Sequence, residues 1–126
     1  MKTVKSEHVV FFDIDQTLIL YKDTPGADTE PVVLVLDPIR NKRIEFKEHT
    51  AMTRLMREEY HRGAYIVVWS RGGYEWAANV IEALGLEECV QQVMSKPVAY
   101  FDDKPVAEWM NNRVYLEPGT PYKRDR

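Results

Sequence analysis

The sequence is most constrained by an apolar run that ends abruptly in acidic residues. Residues 9–12 (Val-Val-Phe-Phe) lead directly into residues 13–17 (Asp-Ile-Asp-Gln-Thr). An uninterrupted run of β-branched and aromatic residues is typical of a strand that is buried on both faces, as in a parallel sheet. The polar residues then lie at the carboxyl end of that strand, which is where open α/β sheets bind their ligands.

The two acidic residues of this segment are spaced so that they can act together. Side chains alternate along an extended chain, so Asp13 and Asp15 can approach one point. Two carboxylates repel each other unless a proton or a hard cation such as Mg²⁺ lies between them. The pair therefore indicates metal-assisted chemistry on an anionic substrate. Taken alone, it is equally compatible with a strand end that carries two solvated aspartates, because short motifs often match by chance.

A second apolar run, residues 64–69, ends in the segment Ser70-Arg71-Gly72-Gly73. A hydroxyl, a cation and flexible glycines between a strand and a helix are typical of a cradle for an oxyanion or a phosphate. Arg71 fits a bidentate contact to phosphate or carboxylate and fits a surface charge equally well, because a single arginine carries little information.

A third apolar run, residues 97–101 (Pro-Val-Ala-Tyr-Phe), is expected to form a further strand of the same sheet. Lys96 precedes this run in a short polar link, and Asp102 and Asp103 follow it. Because polar side chains would then meet at the carboxyl ends of several strands, the three signals together predict one site.

The order of these motifs resembles the haloacid dehalogenase-like (HAD) phosphohydrolase superfamily. That family carries an Asp-x-Asp-x-Thr motif, a Ser or Thr closing a strand, a Lys, and an acidic pair after another strand. The matching residues here are Asp13, Asp15, Thr17, Ser70, Lys96, Asp102 and Asp103. The resemblance covers residues 9–114 apart from residues 19–47. It departs at Gln16, where many members carry Gly, which bears on the shape of the turn and on specificity.

The resemblance implies an α/β fold with a Rossmann-like parallel sheet flanked by helices, and a magnesium-dependent phosphatase that forms an aspartyl-phosphate. Asp13 would be the nucleophile and a metal ligand. Asp15 would act first as general acid and then as base, and its backbone carbonyl would bind the metal. Ser70 and Lys96 would bind the transferring phosphoryl group.

The remaining motif residues have supporting roles in this interpretation. Asp102 would complete the Mg²⁺ site, and Asp103 would bind through water or orient Lys96. Thr17 is expected to order the loop after the first strand, since Thr hydroxyls commonly bond to nearby backbone. With Arg71, it also belongs to the predicted substrate-binding set.

Between the motifs, the pattern predicts a single domain in which strands alternate with helices, as in a parallel sheet covered on both faces. We expect a loop and a β-hairpin flap over residues 20–47, with strands at 31–36 and 43–46, or else a hairpin that extends the sheet edge. The other expected elements are helices at 48–62, 74–84 and 105–111, short strands at 89–94 and 113–116, and a flexible tail at 118–126. Trp76 in the second helix is expected to pack near the core or to stack on a substrate ring.

Composition narrows the class of protein. A net charge of −3 gives no general attraction to nucleic acid or to anionic membranes. Cys89 is the only cysteine, so no disulfide can form within the chain, which favours a reducing compartment. The polar first residues are unlike a secretory signal, and a cytoplasmic protein, monomeric or a small homo-oligomer, is expected.

Other functions stay open at this point. They are a regulatory domain that binds phosphate without turnover, and a phosphatase module for nucleic-acid ends. The segment between the first strand and the first helix has only about 30 residues, which is too short for a folded cap domain. We therefore expect an open site, partly shielded by the hairpin at residues 31–46, that admits a phosphate on a large molecule.

Overall fold

The computed structural model describes residues 8–118, which form eight regular elements. In chain order they are β1 (Val9–Asp13), β2 (Ile19–Leu20), β3 (Val32–Asp37), β4 (Lys42–Glu48), α1 (Thr50–His61), β5 (Tyr65–Ser70), α2 (Tyr74–Leu84) and β6 (Gln92–Ser95). Short 3₁₀ turns occur at Ala27–Thr29, Glu87–Cys89 and Val106–Glu108. Most of the predicted tail lies outside the described residues, as do the first seven residues of the chain.

A parallel sheet carries the candidate site. Its strand order is β1-β5-β6, with β5 in the centre. Ile66 and Val68 of β5 are completely buried, as the apolar run predicts for a strand covered on both faces. The α/β architecture is therefore confirmed, with one three-stranded parallel sheet, one antiparallel sheet and two α-helices.

The first strand is less buried than its composition indicates. Phe12 lies in the core, but Val9 and Phe11 are 38% and 40% exposed. In the described part of the chain β1 pairs only with β5, so it forms an edge of the sheet. The prediction of burial on both faces is wrong for this strand, because Val9 and Phe11 alternate along it and share a face that is left partly exposed, while Phe12 points to the core.

The third predicted strand is also absent. Residues 97–101 have no regular structure, and Val98 and Phe101 are almost fully exposed. β6 ends at Ser95, at the carboxyl end of the parallel strands. A fourth parallel strand would have to begin at the opposite, amino-terminal end of those strands. A parallel connection needs roughly a dozen residues or more, and only Lys96 stands between β6 and this run. Topology therefore overrides the strand propensity of these residues.

The end of the described chain departs from the sequence pattern as well. The helix predicted at residues 105–111 is only the 3₁₀ turn Val106–Glu108, and residues 113–116 form no strand. Val114 and Tyr115 are largely exposed, so burial does not stabilise an extended conformation there.

The two helices were predicted closely. α2 has the predicted bounds and buries a stripe that includes Ala77 and Val80, and Gly85 ends it in the left-handed conformation with φ 68°. α1 lies within the predicted segment and buries Met52 and Met56 on one face.

The predicted hairpin exists but belongs to a separate sheet. β3 and β4 pair antiparallel, and β2 adds to β4, which gives the order β2-β4-β3. The hairpin therefore does not extend the parallel sheet. Val33 and Val35 point into the core, and the Asn79 side chain of α2 donates a hydrogen bond of 2.8 Å to the Leu36 carbonyl oxygen.

Within residues 8–118, no helix combines the length and the apolar character that crossing a membrane requires.

Candidate active site

The register of the parallel sheet brings three of the predicted side chains to neighbouring strand ends. Asp13 at the end of β1 pairs with Trp69, and the next residue of β5 is Ser70. Ser70 pairs with Ser95 at the end of β6, and Lys96 follows, donating its backbone N–H to the Ser70 carbonyl oxygen over 2.8 Å. Asp13, Ser70 and Lys96 thus lie at the same edge of the sheet.

Asp13 and Lys96 form an accessible pair of opposite charges. The Lys96 Nζ lies 3.8 Å from Asp13 Oδ1, and the side chains are 35% and 34% exposed. The ammonium group also lies 5.8 Å from the centre of the Trp69 ring. An ion pair this exposed contributes only about 0–1 kcal/mol to stability. The pair is therefore accessible to solvent and adds little to stability.

Asp15 lies in a different environment from Asp13. The Trp76 Nε1–H donates a hydrogen bond of 2.9 Å to Asp15 Oδ1. Burial raises the pKa of Asp15 above its ordinary value, the Trp76 hydrogen bond partly opposes this effect, and the nearby charge of Asp13 raises the pKa further. A carboxyl group that keeps its proton more readily than usual is suited to general acid catalysis.

The contact between Trp76 and Asp15 was not foreseen from the sequence. The two residues are 61 positions apart, and no spacing pattern links them. A tryptophan in the first turn of a helix that follows a motif strand was the only available signal, and it indicated packing near the core, with stacking on a substrate ring as the alternative.

In the loop after β1, Gln16 occupies the position where many HAD members carry glycine, and its side chain makes hydrogen bonds there. Gln16 has φ 62°, a conformation that glycine adopts without strain. Its Oε1 accepts hydrogen bonds from the Tyr21 backbone N–H at 3.0 Å and from the Thr24 hydroxyl at 3.2 Å. The Gln16 side chain therefore ties the turn to the following loop.

Thr17 also lies in this turn, next to the site. Its backbone N–H donates to the Ile14 carbonyl oxygen at 3.2 Å, and its own carbonyl oxygen lies 2.9 Å from the His49 Nδ1. This hydrogen bond requires the tautomer with a proton on Nδ1. The backbone of Thr17 thus links the turn to the start of α1.

The segment between β5 and α2 is tightly packed around Ser70. This residue is only 2% exposed, and its Oγ accepts a hydrogen bond of 3.0 Å from the Gly72 N–H. The hydroxyl hydrogen therefore stays available for an acceptor. A side chain at Gly72 would come within 3.0 Å of the Trp76 ring and 3.3 Å of Ser70 Oγ, so a residue without Cβ suits this position.

The structure does not bring the other predicted residues into this group. Arg71, Asp102 and Asp103 are exposed. Asp102 Oδ1 accepts a hydrogen bond of 3.0 Å from the Lys104 backbone N–H, so this carboxylate stabilises its own turn. No group of three or more His, Cys, Asp or Glu side chains suited to a metal ion occurs in the described part of the chain.

Tyr21 stands beside the two carboxylates. Burial and the charges of Asp15 and Asp13, in that order, raise the pKa of its phenol. The ring is 43% exposed, and its centre lies 6.1 Å from that of Phe46 in β4. An aromatic side chain is thus available at the edge of the site.

A cavity of about 960 Å³ opens next to Asp13. Its polar lining consists of Asp13, Asp15, Thr17, Glu59, Lys96, Asn112 and Arg113. The apolar part is lined by residues of β1 and α1 and by the segment 106–116. Its volume is in the range of small-molecule pockets, and among the described residues that line it none belongs to the hairpin. The sequence predicts partial shielding of the site by the hairpin at residues 31–46, whereas this cavity is lined on one side by residues of the segment 106–116.

Comparison with known proteins gives no relative. No family model matches the chain, and neither does any curated protein or solved structure. The function is therefore inferred from the chemistry of the side chains at the carboxyl edge of the parallel sheet.

Proposed function

We propose that this protein is a magnesium-dependent phosphatase of the HAD type, which hydrolyses a phosphate monoester through an aspartyl-phosphate. The observation that carries the proposal is the pair Asp13 and Lys96 at neighbouring strand ends, with Lys96 Nζ 3.8 Å from Asp13 Oδ1. Asp15 lies close enough to Asp13 for the charge of Asp13 to raise its pKa, and Ser70 ends the strand between them. A nucleophile, a proton donor, a hydroxyl and a cation are the groups that phosphoryl transfer through a covalent intermediate requires.

In the first step a carboxylate oxygen of Asp13 attacks phosphorus. The bond between phosphorus and the ester oxygen breaks, and Asp15 gives its proton to the departing alkoxide. In the second step Asp15, now a carboxylate, takes a proton from water, and the water oxygen attacks the phosphorus of the aspartyl-phosphate. The bond between phosphorus and the Asp13 oxygen breaks. Inorganic phosphate leaves, and both carboxyl groups return to their initial states.

The cationic and polar residues stabilise the charge that develops on the phosphoryl oxygens. The Lys96 ammonium group lies close enough to Asp13 to contact both the nucleophile and the transferring group. Ser70 has a hydroxyl hydrogen available to donate, because Gly72 already satisfies one of its lone pairs. Thr17 lines the cavity beside them, and Arg71 is a candidate for a contact with the remainder of the substrate.

The residues present fit Mg²⁺, though not with the full set that the sequence indicated. This ion keeps several waters and is commonly bound by one or two carboxylates together with a substrate phosphate. The Asp13 carboxylate and the Asp15 backbone carbonyl would supply the protein ligands, while Asp102 is engaged in its own turn. When bound, the ion would neutralise negative charge on the phosphoryl group and on Asp13.

The proposal includes a cytoplasmic location and a monomer or small homo-oligomer acting on a phosphorylated substrate. The second candidate function is a phosphatase for nucleic-acid ends. Tyr21 favours it, because an exposed aromatic ring beside the two carboxylates could stack on a base. A regulatory domain without turnover is the third possibility, and the accessibility of Asp13 next to Lys96 is an argument against it.

The test is phosphate release by the purified protein with Mg²⁺ from nucleotides, sugar phosphates, phosphopeptides and phosphorylated oligonucleotides. We expect turnover of at least one class, and a stable adduct with beryllofluoride that the Asp13→Asn variant does not form. Absence of turnover with every class, or equal turnover by Asp13→Asn, would refute the proposal.

A further inference from the structure

Trp76 holds one oxygen of the Asp15 carboxyl group. Its indole N–H donates to Oδ1 at 2.9 Å. An indole N–H can only donate, so Oδ1 is the accepting oxygen and a proton on Asp15 is favoured on Oδ2. The hydrogen bond therefore distinguishes the two carboxyl oxygens and leaves Oδ2 as the oxygen that can carry a transferable proton.

The indole ring packs against two other parts of the chain. The Phe46 ring contacts it edge-on, with centres 5.5 Å apart and planes at 62°. Gly72 also approaches the ring closely, since a Cβ there would lie 3.0 Å from Trp76 Cδ1. An aromatic ring held between a strand and a tight loop loses little freedom when it makes a hydrogen bond.

Phe46 belongs to β4 of the hairpin, whereas Asp15 follows β1 of the other sheet. The chain of contacts from Phe46 to Trp76 to Asp15 thus connects the antiparallel sheet to the site. In the described residues the hairpin reaches the carboxyl groups through this route rather than by lining the cavity.

We propose that Trp76 is a positioning residue for Asp15, and that the hairpin maintains this position through Phe46. This inference rests on the proposed function, because it assigns Trp76 to the step in which Asp15 protonates the leaving group. It differs from stacking on a substrate ring, which would affect binding rather than proton transfer.

The role has a consequence that depends on the leaving group. An alkoxide is a poor leaving group and needs a well-placed proton, whereas 4-nitrophenolate leaves without one. General acid catalysis contributes about 10²–10⁴-fold, and a displacement of about 1 Å can cost about 10²-fold. Loss of positioning should therefore slow alkyl phosphates far more than 4-nitrophenyl phosphate.

The experiment compares kcat and KM of the full chain on 4-nitrophenyl phosphate and on the best alkyl phosphate from the substrate screen. Trp76→Phe keeps an aromatic side chain, smaller than indole, but removes the N–H. We expect its kcat to fall about 10–100-fold on the alkyl ester and less than about 3-fold on the nitrophenyl ester, with KM within about 2-fold of wild type. Phe46→Leu should also lower kcat on the alkyl ester more than on the nitrophenyl ester, but by a smaller factor than Trp76→Phe. Trp109→Phe, the same change at an exposed position, should alter neither substrate.

A second measurement does not depend on turnover. The indole ¹H–¹⁵N signal that disappears in Trp76→Phe should exchange slowly with solvent in wild type and rapidly in Asp15→Ala. Equal losses on the two esters, an effect on KM alone, or slow exchange in Asp15→Ala would overturn the positioning role while leaving the phosphatase proposal intact. If the wild-type protein hydrolyses neither ester, the proposed function fails and the inference fails with it. If Trp76→Phe does not fold, Phe46→Leu decides.

Discussion

Two segments of this chain share one pattern and have opposite structures. Residues 9–13 and residues 97–102 are both apolar runs that end in aspartate. The first is β1 of the parallel sheet, paired with β5 along its length. The second is irregular, and Phe101 is 98% exposed. An apolar run therefore becomes a strand only if the preceding connection lets it reach a sheet edge in a permitted direction.

The comparison also separates the candidate site into two parts. Asp13, Ser70 and Lys96 are placed by strand register and one backbone hydrogen bond. The predicted position of Asp102 in the site required residues 97–101 to form a strand, and they do not. If turnover depends on the first part alone, substitutions at Asp13 and Lys96 should reduce it strongly, whereas a substitution at Asp102 should not.

The largest effect is expected from Asp13→Asn. A carboxamide cannot attack phosphorus, and removing a nucleophile can cost a factor of about 10⁶ in turnover. Phosphate release measured on wild type and variant at equal concentration checks this, with circular dichroism to show that the fold is retained. Substantial activity in a correctly folded Asp13→Asn would assign the nucleophile elsewhere.

Removal of the metal should come next. We expect a chelator to reduce turnover about 10³-fold, because a bound cation contributes several kcal/mol of charge stabilisation. Mg²⁺ should restore activity, while Ca²⁺ should not, since its looser and larger coordination holds the reacting groups poorly. Full activity in excess chelator, with no metal found by elemental analysis, would contradict a metal requirement.

Lys96→Met should reduce kcat about 10²–10³-fold, the range seen when one preorganised group that stabilises transition-state charge is lost. Stability should change by less than about 1 kcal/mol, because the ion pair with Asp13 is exposed. The matched control is Lys104→Met, which removes an exposed lysine close to the turn of Asp102. A loss of similar size in the control would indicate a general effect of charge.

The strand comparison can be tested through stability. Ile66→Ala in β5 removes a fully buried side chain and should lower the free energy of unfolding by about 2–5 kcal/mol. Phe101→Ala removes a larger but exposed side chain and should change it by no more than about 0.5 kcal/mol. Urea denaturation of both variants measures the difference. A large loss in Phe101→Ala would mean that this run is buried in solution.

The smallest effect on activity is expected from Asp102→Asn, with turnover within about 3-fold of wild type, because the carboxylate is exposed and bonds only within its own turn in the described chain. The family resemblance leads to the opposite expectation, a loss approaching that of Asp13→Asn. Measuring the two variants side by side decides whether residues 97–103 move to the site when metal and substrate bind.

Much of the local structure followed from the sequence. The stripe on α2 that includes Ala77 and Val80, with its stop at Gly85, was predicted with correct bounds because helical periodicity and a glycine cap are local features. The hairpin strands were likewise predicted close to their observed positions, although β4 is longer than predicted and runs from Lys42 to Glu48. The edge position of β1 was missed, since nothing within its own residues shows whether a neighbour will cover it.

The sequence by itself determined which chemical groups this protein possesses and which of them end strands, because alternation and apolar runs are properties of the nearest residues. Only the tertiary structure decided which groups meet. In the folded chain Lys96 lies beside Asp13, and Trp76 donates a hydrogen bond to Asp15 across 61 residues. Asp102 bonds within its own turn, outside this group. Whether two distant side chains come into contact depends on strand order and on the length of each connection. Strand order is set by how the whole chain packs around its core rather than by any single segment.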